Sequence, residues 1–210
     1  MAISIQNFVQ LRPYLYHLTH RDNLERIRRT CVLETAAQIV ELSRRNNLLS
    51  TRRRESERVN VDGTIIHVRD QKPLHQGNIA FAPGFTFEDL IDLINDRVYF
   101  WPGKDVGPID YGQRHFDRYR DERPALVRVP TADVLDASNA ARAEFCKYNS
   151  GSPRCVGGKR SPRGPETFVT ADRASFTPGS VVEVTFRGGV ELPPTTMVSD
   201  QFEGPWMPLF

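Results

Sequence analysis

Leu15-Tyr16-His17-Leu18-Thr19-His20-Arg21-Asp22-Asn23-Leu24-Glu25-Arg26-Ile27 decides how the rest of this 210-residue chain is read. Tyr16 and Leu18 alternate with His17 and Thr19, the period of two expected of a short strand with one buried face. Thr19-x-x-Asp22 has the spacing of a capping box. The Thr19 hydroxyl accepts from an orphan amide of the first helical turn, and Asp22 sets negative charge at the positive helix end. Leu24, Ile27 and Cys31 follow at helical spacing and predict a helix from about residue 20 to residue 30. His17 therefore stands at the end of a strand just before a helix, where side chains often converge on a ligand.

The length suits one domain spanning 1–210 with a sizeable core. A hydrophobic fraction of 39% and 15 prolines favour a loop-rich fold over a helical bundle. The formal net charge is only +2, so a nucleic-acid partner must be met by a local patch. No apolar run approaches the length of a membrane span, and the first thirteen residues lack a signal-peptide pattern. Cys31, Cys146 and Cys155 form no C-x-x-C pair, and an odd number argues against a disulfide framework. These features read as a cytoplasmic protein.

Outward from the opening stretch, Thr35-x-x-Gln38 opens a second helix. Arg44, Arg45, Arg52, Arg53, Arg54 and Arg58 follow, with Glu55 and Glu57 interleaved; this is a solvated, salt-bridged surface or a phosphate-contacting segment. Thr64–Val68 follows an Asp62-Gly63 turn as a strand, and Thr86-x-x-Asp89 caps a helix bearing Leu90, Ile91 and Ile94. Arg97-Val98-Tyr99-Phe100-Trp101-Pro102-Gly103 is a strand closed by a turn, with Tyr99 and Trp101 on one face and Val98 and Phe100 on the other. Residues 107–120 predict a helix with a basic face, and 125–130 a strand. The Gly-, Pro- and Lys/Arg-rich segment 147–165 reads as a long flexible recognition loop. Glu166–Thr170 resumes strand character, and Val181–Phe186 alternates with Glu183 and Thr185 outward. Short strands scattered among a few amphipathic helices suit an α+β fold with a split antiparallel sheet.

The phrase Tyr16-His17-Leu18-Thr19-His20-x-Asp22-Asn23-Leu24-x-x-Ile27 resembles the opening of the DarT-type ADP-ribosyltransferases, toxin enzymes that move ADP-ribose from NAD onto nucleic acid. The resemblance implies an ADP-ribosyltransferase-like fold, NAD as substrate without a metal, and a site of the His-Tyr-Glu kind drawn from three separated strands. In this chain the order would be His17, Tyr99 and Glu166, with Phe100 or Trp101 as alternatives to Tyr99 and Glu144 as the competing carboxylate. Gly164-Pro165-Glu166-Thr167-Phe168-Val169 is similar to the family's glutamate strand. A functional arginine of the family falls by position on Arg53 or Arg54, and the loop before Glu166 corresponds to its target-recognition loop. The same resemblance implies toxicity and a neutralising antitoxin or immunity partner. Position more than pattern carries the arginine match, and the Gly/Arg/Pro-rich 150–165 loop departs from the family.

The chemistry is coherent. Breaking the nicotinamide–ribose bond develops an oxocarbenium-like cation, as in glycoside hydrolysis. Glu166 would stabilise that charge and take the acceptor's proton. His17 would orient the ribose, Tyr99 would stack on the nicotinamide, and Thr19 and Asn23 would support the adenosine side. Lys147, Arg154, Lys159, Arg160 and Arg163 would meet a nucleic-acid acceptor, with DNA favoured. A protein acceptor, plain NAD hydrolysis and a non-catalytic nucleic-acid-binding domain are the competing readings. The five histidines show no metal-ligand spacing along the chain.

Overall fold

Tyr14–His20 forms strand β1 in a computed structural model that describes residues 2–210. Five further strands complete the body of an antiparallel sheet: β2 (Arg97–Lys104), β3 (Pro124–Pro130), β4 (Ala143–Cys146), β5 (Glu183–Arg187) and β6 (Met197–Ser199). Their spatial order is β4, β5, β2, β1, β3, β6, with the two-residue strands Val169–Thr170 and Met207–Pro208 at the outer edges.

One detail of register shapes the site. β1 pairs with β3 along its full length, from Tyr14 opposite Pro130 to His20 opposite Pro124. On its other edge β1 pairs with β2 at three positions only, ending at Tyr16 opposite Trp101. Beyond that point the two strands part, while β2 stays paired to β5 from Phe100 opposite Val184 to Arg97 opposite Arg187. The sheet is split between β1 and β2.

Strand alternation divides the side chains between two faces. Leu15, Phe100, Val127, Phe145, Val184 and Phe186 belong to the main apolar core. The opposite face carries a smaller cluster of Leu18, Trp101, Phe116, Tyr119 and Leu126, against which Phe202 and Trp206 of the tail pack. Helix Asp110–Arg118 contributes Phe116 to that cluster. Beside the sheet, helix Ala36–Leu42 packs Val40 onto the hairpin Glu57–Val61/Thr64–Val68 through Val59, Val61, Ile66 and Val68. Helix Phe87–Asn95 places Leu90, Ile91 and Ile94 against Leu74 and Ile79. Both of these helices start at the capping boxes read from the sequence, Thr35 with Gln38 and Thr86 with Asp89, each pair exchanging both bonds. The architecture is mixed α and β, with antiparallel pairing and flanking helices. Among the described residues, no helix is long and apolar enough to cross a membrane.

Four local expectations are corrected. β1 runs on to His20, so the His20 ring replaces Thr19 as the cap, its Nδ1 accepting from the Asp22 amide at 3.1 Å. Pro102-Gly103 does not end its strand. A Cβ at Gly103 would sit 2.7 Å from the Tyr16 ring, and the glycine lets β2 pass that ring and continue to Lys104. Segment 147–165 is partly ordered by pairing: Ser161–Arg163 runs parallel to Ile79–Phe81, and Val156 bridges Lys159. Finally, Pro165–Thr167 is a 3-10 turn rather than strand, leaving only Val169–Thr170 in the sheet. Pro165 supplies a fixed φ and no amide, which suits a turn start and not a ladder.

Candidate functional site

The gap between β1 and β2 opens onto a cavity of about 250 Å³. His17 from β1, Tyr99 and Trp101 from β2 and Glu183 from β5 all line it. His17 fills the split itself. Its Nδ1 lies 2.9 Å from the main-chain carbonyl of Tyr99. A carbonyl only accepts, so Nδ1 carries the proton and Nε2 keeps its lone pair. Burial holds the His17 pKa down at about 4, against the partial help of the Tyr99 carbonyl and with added repulsion from Arg69. The ring is neutral at physiological pH.

Tyr99 donates its hydroxyl to the Ile94 carbonyl at 3.1 Å and meets Phe168 edge-on at 5.9 Å. Burial pushes its ionisation well above the usual phenol range, so it acts as a fixed aromatic wall. Trp101 shares the Tyr99 face and also lines the cavity, whereas Phe100 points into the main core.

The strand carboxylate that joins His17 and Tyr99 at this cavity is Glu183, not Glu166. Glu183 is 3% exposed, and its pKa is raised to about 7 by burial, opposed by hydrogen bonds from Ser150 and by the Arg163 charge. The Ser150 amide donates to both carboxylate oxygens, at 3.1 and 3.2 Å. The expectation that Glu183 and Thr185 face outward is overturned: both are buried, at 3% and 0% exposed, and the Asn149–Ser150 segment lies over Glu183. Glu166 sits on the exposed 3-10 turn, ion-paired with Arg173 at 2.8 Å, and does not line the cavity. Glu144 is also outside it, bound through both oxygens by Arg97 at 2.6 and 3.0 Å. A triad of His17, Tyr99 and Glu166 is therefore not assembled. His17, Tyr99 and Glu183, from the adjacent strands β1, β2 and β5, are brought together.

Other candidate residues divide as clearly. Arg53 is buried on the cavity wall, donating to the Arg69 carbonyl and to Asn95 Oδ1, both at 2.9 Å, and burial lowers its pKa to about 10. Arg54 is exposed and outside the cavity. Thr19 and Asn23 line the cavity, but Asn23 is engaged by Thr19 and by both main-chain groups of His67. It pins the hairpin to β1. Lys147, Arg154, Lys159 and Arg160 are exposed. Arg163 is not available to a nucleic acid: it is 3% exposed and spends its donors on Asn149, Ser150, Ser161 and Pro162.

Sequence spacing gave no reason to single out Arg69, His115, Tyr119 or Ser150, yet each lines the cavity. Arg69 lies 4.3 Å over the Tyr119 ring, and His115 packs between Tyr119 at 4.8 Å and Trp101 at 4.7 Å. Burial and the charges of Arg69 and Arg118 lower the His115 pKa to about 3. Five arginines (26, 53, 69, 97 and 118) face three carboxylates (Glu34, Asp70 and Glu183) around the cavity. Arg26, Arg69 and Arg97 are ion-paired with Glu34, Glu122 and Glu144, which leaves Arg53 and Arg118 as the cavity guanidiniums without an ion pair among the described residues.

Two histidines far apart in the chain also meet at the cavity rim. His20 and His67 stack with ring centroids 3.5 Å apart and planes 7° from parallel, both close to Asp22. Their ligand atoms and that of Asp22 lie within 4.8 Å of one another, a grouping that linear spacing hides. His20 Nδ1 already accepts the Asp22 amide and Arg123 holds the carboxylate at 2.9 Å.

The fold and site together define a mixed α and β protein with a cavity, lined by arginines and carboxylates, at the split of an antiparallel sheet. The chain belongs to the DUF7002 family, a family of unknown function, whose model matches residues 13–195. Comparison with curated proteins and with solved structures finds no match.

Proposed function

We propose that this protein is an ADP-ribosyltransferase that cleaves NAD, releases nicotinamide and transfers ADP-ribose to an acceptor, with nucleic acid as the favoured acceptor. The observation that carries the reading is the convergence of His17, Tyr99 and Glu183 from three neighbouring strands on one cavity at a sheet split. That is the strand-by-strand arrangement implied by the resemblance of the opening phrase, with Glu183 in the role expected of Glu166. The split antiparallel sheet fits an ADP-ribosyltransferase-like fold.

In this reading the C–N bond from ribose to nicotinamide breaks, its electrons leave with nicotinamide, and positive charge develops on the ribose. Glu183 stabilises that charge and takes the proton of the incoming nucleophile. Neutral His17 presents Nε2 as an acceptor for a ribose hydroxyl. Tyr99 supplies the aromatic wall for the nicotinamide ring, and Arg53 and Arg118, which line the cavity without an ion pair among the described residues, suit the diphosphate. Exposed Arg154, Lys159 and Arg160 support a polyanionic acceptor.

The test is incubation with labelled NAD, followed by measurement of nicotinamide release and mass spectrometry of DNA, RNA and protein. Release that disappears in Glu183→Gln, with an ADP-ribose mass on one acceptor class, supports the proposal. Salt-sensitive nucleic-acid binding without any release would favour a non-catalytic binding domain.

A further inference from the structure

We infer that Arg163 is a positioning residue for Glu183, acting through the Asn149–Ser150 main chain. This rests on the assignment of Glu183 to the reacting ribose. Ser150, Arg163 and Glu183 are 1%, 3% and 3% exposed, so their bonds are shielded from bulk solvent. The Ser150 amide reaches both oxygens of Glu183. Behind that peptide, Arg163 donates from Nη2 to the Asn149 carbonyl at 2.9 Å and from Nε to the Ser150 carbonyl at 3.4 Å. Its Nη1 binds Ser161 Oγ and the Pro162 carbonyl, both at 2.7 Å, and its Cζ lies 4.8 Å over the Tyr148 ring. One guanidinium thus fixes both roots of the 151–160 loop, exposed from Arg154 to Arg160, and the peptide that holds the carboxylate.

Every hydrogen-bond acceptor of Arg163 is neutral. A buried guanidinium without a paired carboxylate is costly, unless a nearby anion repays it through the field. Around Glu183 stand Tyr99 on β2, Cys146 on β4, Ser150 and Arg163. Arg97, also on β2, is taken by Glu144. Burial drives the Glu183 carboxyl toward its neutral form, and the Ser150 hydrogen bonds that Arg163 holds in place, with its charge added to them, oppose that.

A loop anchor with no other role would change stability and leave the titration of Glu183 untouched. The experiment is carboxyl-carbon NMR of glutamate-labelled full-length protein, with the Glu183 signal assigned by Glu183→Gln. Nicotinamide release is measured against pH in parallel. In Arg163→Gln the Glu183 midpoint rises by about one unit or more, the acid limb of release follows it, and turnover at pH 7 falls about tenfold. In Arg163→Lys the shift keeps its sign but is smaller. A folded Gln variant with the wild-type midpoint overturns the inference. Should that variant fail to fold, Arg163→Lys decides. An ammonium cannot serve both carbonyls with a rigid fork, so a Lys variant matching wild type in midpoint and pH profile also overturns it. Absence of release from the wild type sinks the transfer reading instead, and leaves the carboxyl titration as the test of Arg163.

Discussion

His17 Nδ1 and the Tyr99 carbonyl are joined by a 2.9 Å hydrogen bond across the place where β1 and β2 lose their ladder. A side chain takes over where main-chain pairing stops. The bond satisfies a carbonyl that the split leaves without a strand partner, and it fixes the tautomer with the Nε2 lone pair free. Structure and proposed chemistry therefore depend on the same imidazole.

Replacing His17 with Ala removes both. The orphaned Tyr99 carbonyl and the vacated space together cost about 2–4 kcal/mol of stability. Loss of ribose orientation lowers nicotinamide release by about 100-fold. Urea unfolding and initial-rate kinetics check the two effects separately. A variant that loses stability but keeps wild-type turnover would remove His17 from the chemistry.

The two glutamates separate cleanly. Glu183→Gln keeps the shape and the Ser150 contact, removes the charge, and is expected to reduce release by about 10²–10³-fold with little change in NAD affinity. Glu166→Gln is expected to stay within about twofold of wild type, because an exposed pair with Arg173 contributes at most about 1 kcal/mol. Single-turnover assays on both variants decide. The reverse ranking would place the chemistry on the 3-10 turn and contradict the site described above.

Local chemistry was legible in the sequence, and burial set by distant segments was not. The strand at Tyr16–Thr19, the capping boxes at Thr35 and Thr86 and the aromatic strand at 97–101 each follow from nearest-neighbour patterns, and each is present. The first strand, however, is covered on both faces, with Thr19 buried, where alternation predicts one buried face. Glu183 was misplaced because alternation tells which residues share a face, not whether that face is covered. That face is covered by the 149–163 segment, whose Ser150 amide reaches the carboxylate and whose Arg163 is buried behind it. The β-branched residues on both faces, Val181, Val182, Val184 and Thr185, were the available hint that the strand is central. Arg163 was misread for a similar reason. In a basic, Gly-rich loop it looks like its neighbours, and only its pairing beside Ile79–Phe81 draws it inside.

Acid should destabilise the protein between pH 6.5 and 4. His17 and His115 have pKa values near 4 and 3 in the fold, below the ordinary 6.5. Below pH 6.5 the unfolded chain takes protons that the folded one refuses, so stability is complete above that value and lost on acidification. Each histidine contributes a slope of up to about 1.4 kcal/mol per pH unit. Glu183 acts in the opposite sense. Its raised value of about 7 means the fold keeps a proton that the unfolded chain releases between 4.5 and 7, which stabilises the fold as pH falls through that window. Two histidines against one glutamate leave a net loss, and the lowered pKa values of His20 and His67 add to it. Urea midpoints at pH 7.5, 6 and 5 should decline, and His115→Phe should flatten the decline. A midpoint that rises toward pH 5 would mean that Glu183 dominates.

The exposed basic loop and the buried arginine at its root should respond differently to salt. Lys159→Ala and Arg160→Ala each remove one exposed charge, so each should weaken binding to a DNA oligonucleotide and reduce the slope of log affinity against log salt by about one. Neither should alter nicotinamide release in the absence of acceptor, because neither lines the cavity. Arg163→Gln should leave the salt slope unchanged, since its guanidinium meets main-chain carbonyls, a serine hydroxyl and no solvent. Fluorescence anisotropy across a salt series measures all three slopes. Equal slopes for wild type, Lys159→Ala and Arg160→Ala would show that acceptor phosphates are met elsewhere. The cavity-mouth guanidinium of Arg118, exposed and without a carboxylate partner among the described residues, would then be the next position to test.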